Sequence, residues 1–410
     1  MKNYNLAVIG GGASGLCAAI NCARHNSKMS IVILERLPRV GKKILATGNG
    51  RCNLSNINTQ SSSYHNGEFA CAALNKYNVE KTLAFFNSVG LLTVTDNEGR
   101  VYPMSYTAPS VLDALRFEAE RLTIEIRCQT PVTKIQAVSG KYIIYNGANA
   151  ISAEKVIIAC GGKASPSQGS DGSGFELLKN LGYKLTPLLP ALVQIKTKTD
   201  LIKSLKGVRA KARISVWIQG ELISESSGEI QFTDFGISGI AAMEVSRYVS
   251  CHFQSGSKKS CLISIDFVPS LSKNEVSDYI YRSIKRNSAL HIEGLLTGIV
   301  PKAVSAAICR AAGINLSLEL SDLSEKNISG IAQCIKSFNL EATGTKGFES
   351  AQVTSGGVEV SEFNSQTLES KRHKGLYCCG EILDVDGGCG GFNLQWAWSS
   401  GLTAGKNAAL

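Results

Sequence analysis

No apolar run in this sequence approaches the ~18 residues that a membrane-spanning helix needs, so nothing reads as a helical membrane anchor. No two cysteines are spaced C-x-x-C. The thirteen cysteines are odd in number, and several (Cys17, Cys160, Cys378) sit inside apolar segments, where a free thiol is a small hydrophobe. That argues against a disulfide framework and a zinc site, and for a reducing cytosol. The five histidines (His25, His65, His252, His291, His373) show no metal-ligand spacing and no triad context, so no metal is expected. There is no internal repeat and no low-complexity tract. The chain enters a strand and a glycine loop at once, which argues against a cleaved signal peptide. Nothing in the pattern specifies an oligomeric state.

Long blocks of one charge are also missing, although the formal net charge is +10. The densest basic stretch sets Lys196, Lys198, Lys203, Lys206, Arg209, Lys211 and Arg213 against Asp200. It reads first as a solvated face. The sharper alternatives are attraction of an anionic substrate, of nicotinamide cofactor phosphates, or of RNA. Basic and aromatic residues do not interleave, which disfavours nucleic acid as a partner.

What is present is a nucleotide-binding signature at the start. Residues 4–35 read YNLAVIGGGASGLCAAINCARHNSKMSIVILE. An apolar strand (Leu6–Ile9) meets Gly10, Gly12 and Gly15 in the pattern G-x-G-x-x-G, then a helix, then a second strand (Ile31–Leu34) capped by Glu35. Gly10 permits the tight turn, Gly12 the close approach of a pyrophosphate, and Gly15 the close packing of helix on sheet. The helix start at Ala13 and Ser14 presents free N–H groups to that pyrophosphate. Glu35, with Arg36 beside it, is placed to accept hydrogen bonds from a ribose.

At 410 residues the chain exceeds a usual single core of ~250–300 residues. Helical spacing is expected at 80–89 and 110–122, and strands over 124–160. Residues 191–267 look β-rich, with Ser238 expected to cap a helix; residues 273–338 look mostly helical. The fold class expected is α/β: a discontinuous Rossmann-like FAD-binding domain (1–190 and 351–410) carrying a β-rich insert (191–270) and a mainly helical insert (271–350). The FAD assignment comes from the far end of the chain. Gly375–Gly405 contains a short strand, Gly380, Glu381, Asp384, Asp386, and then Gly390 and Gly391 before a helix beginning Phe392, Asn393, Leu394. A second glycine-rich helix start is hard to explain for an NAD-only domain. It suits a flavin ring whose N1 and C2 carbonyl gain negative charge on reduction.

These residues are similar to those of the glutathione-reductase-like FAD superfamily. Within it the chain resembles the BaiN/YhiN-type family of NAD(P)/FAD-dependent oxidoreductases, through VIGGGASG (8–15), GKKILATGNGRCNLSN (41–56), GRVYPMS (99–105), IIACGGKASPSQGSDGSG (157–174), FTDFGISG (232–239), VTSGGV (353–358) and GEILDVDGGCGGFNLQWAWSSG (380–401). Departures are Ile240, commonly proline in the family, and Cys389, often threonine. The resemblance implies a FAD domain interrupted by a barrel-like and a helical domain. It places the loop with Lys42, Thr47, Asn49, Arg51 and Asn53 along the flavin, the lysine and arginine pairing with pyrophosphate and Asn49 at the ring edge. It carries the adenine contact onto the backbone of Val132, and puts Gly161 where its strand meets the cofactor.

Candidate catalytic residues are Tyr102, as a proton donor, Arg51, and Cys52, whose thiolate Arg51 would favour. No second G-x-G-x-x-G unit appears, so NAD(P)H is expected to dock transiently as electron donor. The resemblance implies hydride transfer from flavin N5 to a small organic substrate, with an enone such as a 3-oxo bile-acid intermediate as the leading case. An amine or amino-ketone oxidase and an RNA-acting flavoprotein are the alternatives.

Overall fold

The structure, a computed structural model, describes residues 1–257, 259–288 and 291–410. The described chain divides into two compact units, Met1–Leu188 with Gln352–Leu410, and Leu189–Ala351.

The first unit opens with β1 (Lys2–Ile9), α1 (Ala13–His25) and β2 (Ile31–Leu34). It continues through α2 (Lys42–Ala46), β3 (Ser55–Asn56), α3 (Gly67–Lys76), α4 (Val79–Ser88), β4 (Thr93–Thr95), β5 (Arg100–Pro103) and α5 (Ala108–Arg121). Then come β6 (Glu125–Arg127), β7 (Lys134–Val138), β8 (Lys141–Asn146), β9 (Asn149–Ile158) and α6 (Ser173–Asn180). Asn78 starts α4 by accepting a hydrogen bond from the Lys81 N–H, so the local sequence sets that boundary.

The second unit holds β10 (Leu189–Ala191), β11 (Ile195–Thr197), β12 (Arg209–Ile218), β13 (Glu221–Phe232), β14 (Gly236–Ser238), α7 (Ile240–Gln254), β15 (Cys261–Asp266), α8 (Lys273–Arg286), α9 (Lys302–Ala311), α10 (Glu325–Lys336) and β16 (Phe338–Thr345). The first unit then resumes with β17 (Val353–Ser355), β18 (Leu376–Cys378) and α11 (Phe392–Ala408).

A seven-stranded sheet organises the first unit, in the order β6-β2-β1-β9-β8-β7, with β18 also pairing β9. β1 is parallel to both β2 and β9, and Leu6, Ala7, Val8 and Ile9 are all buried. A run apolar on both faces is what a central parallel strand covered by helices requires. Because β1, β9 and β18 run the same way, their carboxyl ends lie at one edge of the sheet. α11 packs on α1 through two glycines. A Cβ on Gly401 would lie 2.4 Å from the Ser14 carbonyl oxygen, and one on Gly405 2.1 Å from that of Ala18. Backbone therefore meets backbone, and no larger side chain fits.

The second unit is built on a closed barrel in the order β11-β14-β13-β12-β15-β16. The expected division at 270 does not separate two cores. Val276 and Ile280 of α8, Ile308 of α9 and Ile331 of α10 join one buried cluster with Ile214, Ile230 and Ile263 of the barrel. β16, from the stretch read as helical, closes the barrel between β15 and β11. α7 lies in the stretch read as β-rich, and its start is Gly239, not a capping Ser238. β13 is longer than its apolar end suggested, because its polar first half is held by the ladder to β12. The basic stretch is largely neutralised within this unit. Lys198 pairs with Glu341, Lys203 with Asp200, Lys206 with Asp234, Arg209 with Glu229 and Arg213 with Asp266. The solvated-face reading describes most of it, and the exposed pairs contribute little stability, whereas Asp266, the partner of Arg213, is buried.

Candidate active site

Gly10 ends β1 at φ +104°, a backbone conformation that glycine adopts without a Cβ penalty. A Cβ on Gly15 would lie 2.0 Å from the Gly10 carbonyl oxygen, so the turn folds tightly on the first helical turn. Gly12 differs: it caps α1, and a Cβ there meets nothing within 4 Å. No side chain caps α1, so the N–H groups of its first turn, Ala13, Ser14 and Gly15, open onto this free space. The Ser14 hydroxyl is turned away and donates to the Cys379 carbonyl at 3.4 Å. Glu35 is buried at the end of β2. Its carboxylate accepts from the Gly11 N–H and the Leu37 N–H, each at 2.8 Å, which fixes it beside the glycine turn. Val132, half-buried, engages in no hydrogen bond among the described residues, while the neighbouring Thr130 N–H donates to the Glu35 carbonyl.

The second helix start is similar. Gly391 caps α11 at φ +104° without a side-chain cap, and the first helical bond runs from the Gln395 N–H to the Gly391 carbonyl. The N–H groups of Phe392, Asn393 and Leu394 therefore have no partner within the helix. The Asn393 side chain holds the preceding turn, accepting from the Gly387 N–H and donating to the Gly387 and Gly388 carbonyls. Asn53 reaches the same place: a Cβ on Gly391 would lie 2.9 Å from its Oδ1. That Oδ1 is buried and has no hydrogen-bond partner. A buried acceptor left unsatisfied at a helix start is compatible with a ligand donor there.

Several expected cofactor side chains are engaged with protein instead. The Arg36 guanidinium pairs with Asp171, and Lys42 donates to the Ser167 carbonyl at 2.7 Å. The Thr47 hydroxyl donates to the Ile44 carbonyl. The Asp384 carboxylate faces His65 at 3.6 Å. Asn49 is exposed, in a left-handed conformation. Lys43, which the sequence did not single out from Lys42, joins a polar hub: its ammonium lies 3.1 Å from Glu381, whose other oxygen accepts from the Thr354 N–H at 2.6 Å. The Thr354 hydroxyl in turn accepts from the Lys163 and Ala164 N–H groups. The VTSGG run was the only signal for Thr354. Gly161 (φ +71°) and Gly380 (φ +77°) lie beside this hub, a Cβ on Gly161 coming within 4.0 Å of Glu381.

The expectation of a reactive Cys52 is corrected. Cys52 is fully buried, and burial pushes its thiol up to about 12, against a hydrogen bond to Thr47 that favours the thiolate. Desolvation disfavours the charged form more than the adjacent Arg51 can favour it, because the Arg51 side chain points outward onto Tyr102. Cys52→Ala is expected to keep full flavin reduction and lose about 1 kcal/mol of stability through a lost buried sulfur. Anaerobic reduction kinetics and a denaturation midpoint check both; a drop of tenfold or more in reduction rate would restore the cysteine to the chemistry. Tyr102 is buried, with the Arg51 guanidinium 5.1 Å over its ring and Tyr106 tilted against it at 5.8 Å.

Two uncapped helix starts on one unit, an open glycine, a fixed acid after β2 and an orphaned amide oxygen fit a dinucleotide carrying a flavin ring. Fold and site define a FAD-dependent oxidoreductase. The chain belongs to the HI0933-like protein Rossmann domain family, which matches residues 4–407. It is 39% identical over 406 residues to the 3-dehydro-bile acid delta(4,6)-reductase of Clostridium scindens, with 98% of each chain covered. It is 26% identical over 408 residues to the ribosomal RNA dihydrouridine synthase of Escherichia coli K12, covering 98% of this chain and 96% of that one. Among solved structures, a 3-ketosteroid-delta4-(5alpha)-dehydrogenase from Rhodococcus jostii RHA1 superposes with a TM-score of 0.51 at 13% identity, covering 100% of this chain and 97% of that one. A quinol-fumarate reductase gives 0.52 at 15% identity, covering 100% and 71%. These structural likenesses show the fold. Among the described residues no helix is long and apolar enough to cross a membrane, and no cluster of ligands for a metal ion occurs.

Proposed function

We propose that this chain saturates a carbon–carbon double bond conjugated to a carbonyl in a small organic substrate, with NAD(P)H as electron source. The observation that carries the reading is the 39% identity, over nearly the full length of both chains, to a reductase of a bile-acid 4,6-diene. Bound FAD supplies hydride chemistry at its ring nitrogen N5. The chain's own part is to hold and to orient. The N–H groups of Ala13, Ser14 and Gly15 would hold the pyrophosphate, Glu35 the ribose, and the Val132 backbone the adenine. The start of α11 and Asn53 would hold the ring. With no second dinucleotide unit in the sequence, the nicotinamide donor docks only for the transfer. The thirteen free thiols support a cytosolic setting.

A second reading, reduction of a uracil ring in RNA, is favoured by the 26% identity to a ribosomal RNA dihydrouridine synthase. The chemistry is the same, since the uracil 5,6 double bond is conjugated to the C4 carbonyl. Neutralisation of the basic stretch by Glu341, Asp234 and Glu229 weighs against it.

The test is anaerobic. The flavin of purified holoprotein is reduced by light and then mixed with a 3-oxo-4,6-diene bile acid or with ribosomal RNA. Reoxidation by the dienone, with a product two mass units heavier, is expected. Reoxidation by RNA alone would replace this reading with the second, and inertness toward both would remove both.

A further inference from the structure

We infer that Arg51, laid on Tyr102 with Tyr106 against the same ring, anchors a carboxylate of the substrate, and that this cluster sets substrate specificity. The inference rests on the reduction reading and names the substrate class for it: a flat apolar ring system with an anionic end.

The loop that carries Arg51 is wound left-handed. Gly48, Asn49, Gly50 and Cys52 have φ of +56°, +55°, +82° and +56°. Left-handed backbone at non-glycine positions is disfavoured and collects at functional sites. Here it turns Cys52 inward and Arg51 outward. Three other cations of this region have acidic partners, Arg36 with Asp171, Lys43 with Glu381, and Arg100 with Asp96 and Glu98, while Lys42 donates to the Ser167 carbonyl. Arg51 is exposed, and among the described residues no carboxylate lies within ion-pair distance of it. Its one side-chain hydrogen bond among the described residues, to the Gly48 carbonyl, is long at 3.4 Å. The contact with the Tyr102 ring restrains the guanidinium and leaves N–H groups for a bidentate acceptor.

The segment that follows Tyr102 exposes apolar side chains among the Ser105 and Thr107 hydroxyls. Tyr106, at φ +53°, is 46% exposed, and Leu92 and Met104 are each 57% exposed. The last two are joined by the Met104 N–H to the Leu92 carbonyl. The stack also lies beside the flavin end of the cofactor site, not its pyrophosphate end. β5 carries Tyr102 and pairs with β3, whose Asn56 donates to the Gly390 carbonyl at 3.1 Å. Arg51 is two residues from Asn53, whose oxygen meets Gly391. A cation here is badly placed for the pyrophosphate expected of it and well placed for one end of a molecule lying along the ring.

The experiment compares a 3-oxo-4,6-diene bile acid with its methyl ester as oxidants of the reduced holoenzyme. The unmodified protein is expected to prefer the acid by about 10- to 100-fold in kcat/KM, the range of one charge-assisted hydrogen-bonded pair. Arg51→Met is expected to bring that ratio near one while retaining its flavin, and Arg51→Lys to keep only part of it, since lysine lacks the planar fork. Tyr106→Leu is expected to raise KM for acid and ester together. An unchanged ratio in Arg51→Met overturns the inference, and so does loss of flavin from that variant, which would return Arg51 to cofactor binding. If neither compound oxidises the flavin of the unmodified protein, the reduction reading falls and takes the inference with it.

Discussion

Gly12→Asp is expected to give a folded protein that no longer retains FAD. A side chain at this position meets no atom within 4 Å, and the backbone there has a negative φ of −83°, so nothing in the protein resists it. Aspartate is a good N-cap, and its carboxylate would satisfy an N–H of the first turn of α1. The same carboxylate stands where the pyrophosphate must approach. At ~4 Å and an effective dielectric of ~20 a single charge pair costs about 4 kcal/mol, or nearly three orders of magnitude in Kd. The expected protein is colourless, with an apoprotein melting temperature within a few degrees of the unmodified apoprotein. A yellow variant with normal flavin content would mean that the open space at Gly12 is not the pyrophosphate site. The contrast matters because Gly10 and Gly15 cannot be used this way. Their substitutions collide with the Ala159 and Gly10 carbonyl oxygens and would confound binding with folding.

Gly405→Val is expected to show the largest loss of stability. Its Cβ would stand 2.1 Å from the Ala18 carbonyl oxygen and 2.9 Å from the Ala18 Cα, and both belong to the backbone of α1. A flexible side chain could move aside; a helix backbone moves only as a whole. α1 is buried along Leu16, Cys17, Ala18, Ala19 and Ile20, so displacing it opens the core on its far side. Overpacking costs typically 1–3 kcal/mol, and this site belongs at ~3 kcal/mol because neither partner has a side chain to adjust. For a unit of this size that lowers the melting temperature by roughly 6–12 °C. On the proposed site flavin affinity falls with it, since α1 and α11 would each present a helix start to the cofactor. A denaturant titration of apoprotein and holoprotein separates the two effects. An unchanged midpoint would show that the helices do not pack as closely as described.

The two helix starts show how far the residues could be read without coordinates. The strand, glycine turn, helix and acid from Leu6 to Glu35 were legible because each step is local. Strand alternation, a left-handed turn, a helix start and a strand-end carboxylate all fall within a few residues of one another. Gly390 to Leu394 was legible for the same reason. The barrel was less so. β13 is polar in its first half and β16 follows a helical run, and both are strands because ladders to β12 and β15 satisfy their backbones. Lys42 and Lys43 are adjacent, and composition cannot say which of them reaches Glu381. Cys52 looked activated beside Arg51 because sequence shows adjacency and not direction.

From the sequence alone came the kind of cofactor and the two glycine-led helix starts, since these depend on short-range backbone geometry that particular residues impose. The tertiary structure decided which side chains face which way. Burial turned Cys52 into packing, and left-handed backbone turned Arg51 out onto Tyr102. Two helices from opposite ends of the chain were joined at glycines with no room between them. Those outcomes depend on contacts between segments hundreds of residues apart, and the energies of desolvation and steric overlap that select them exist only once the chain is folded.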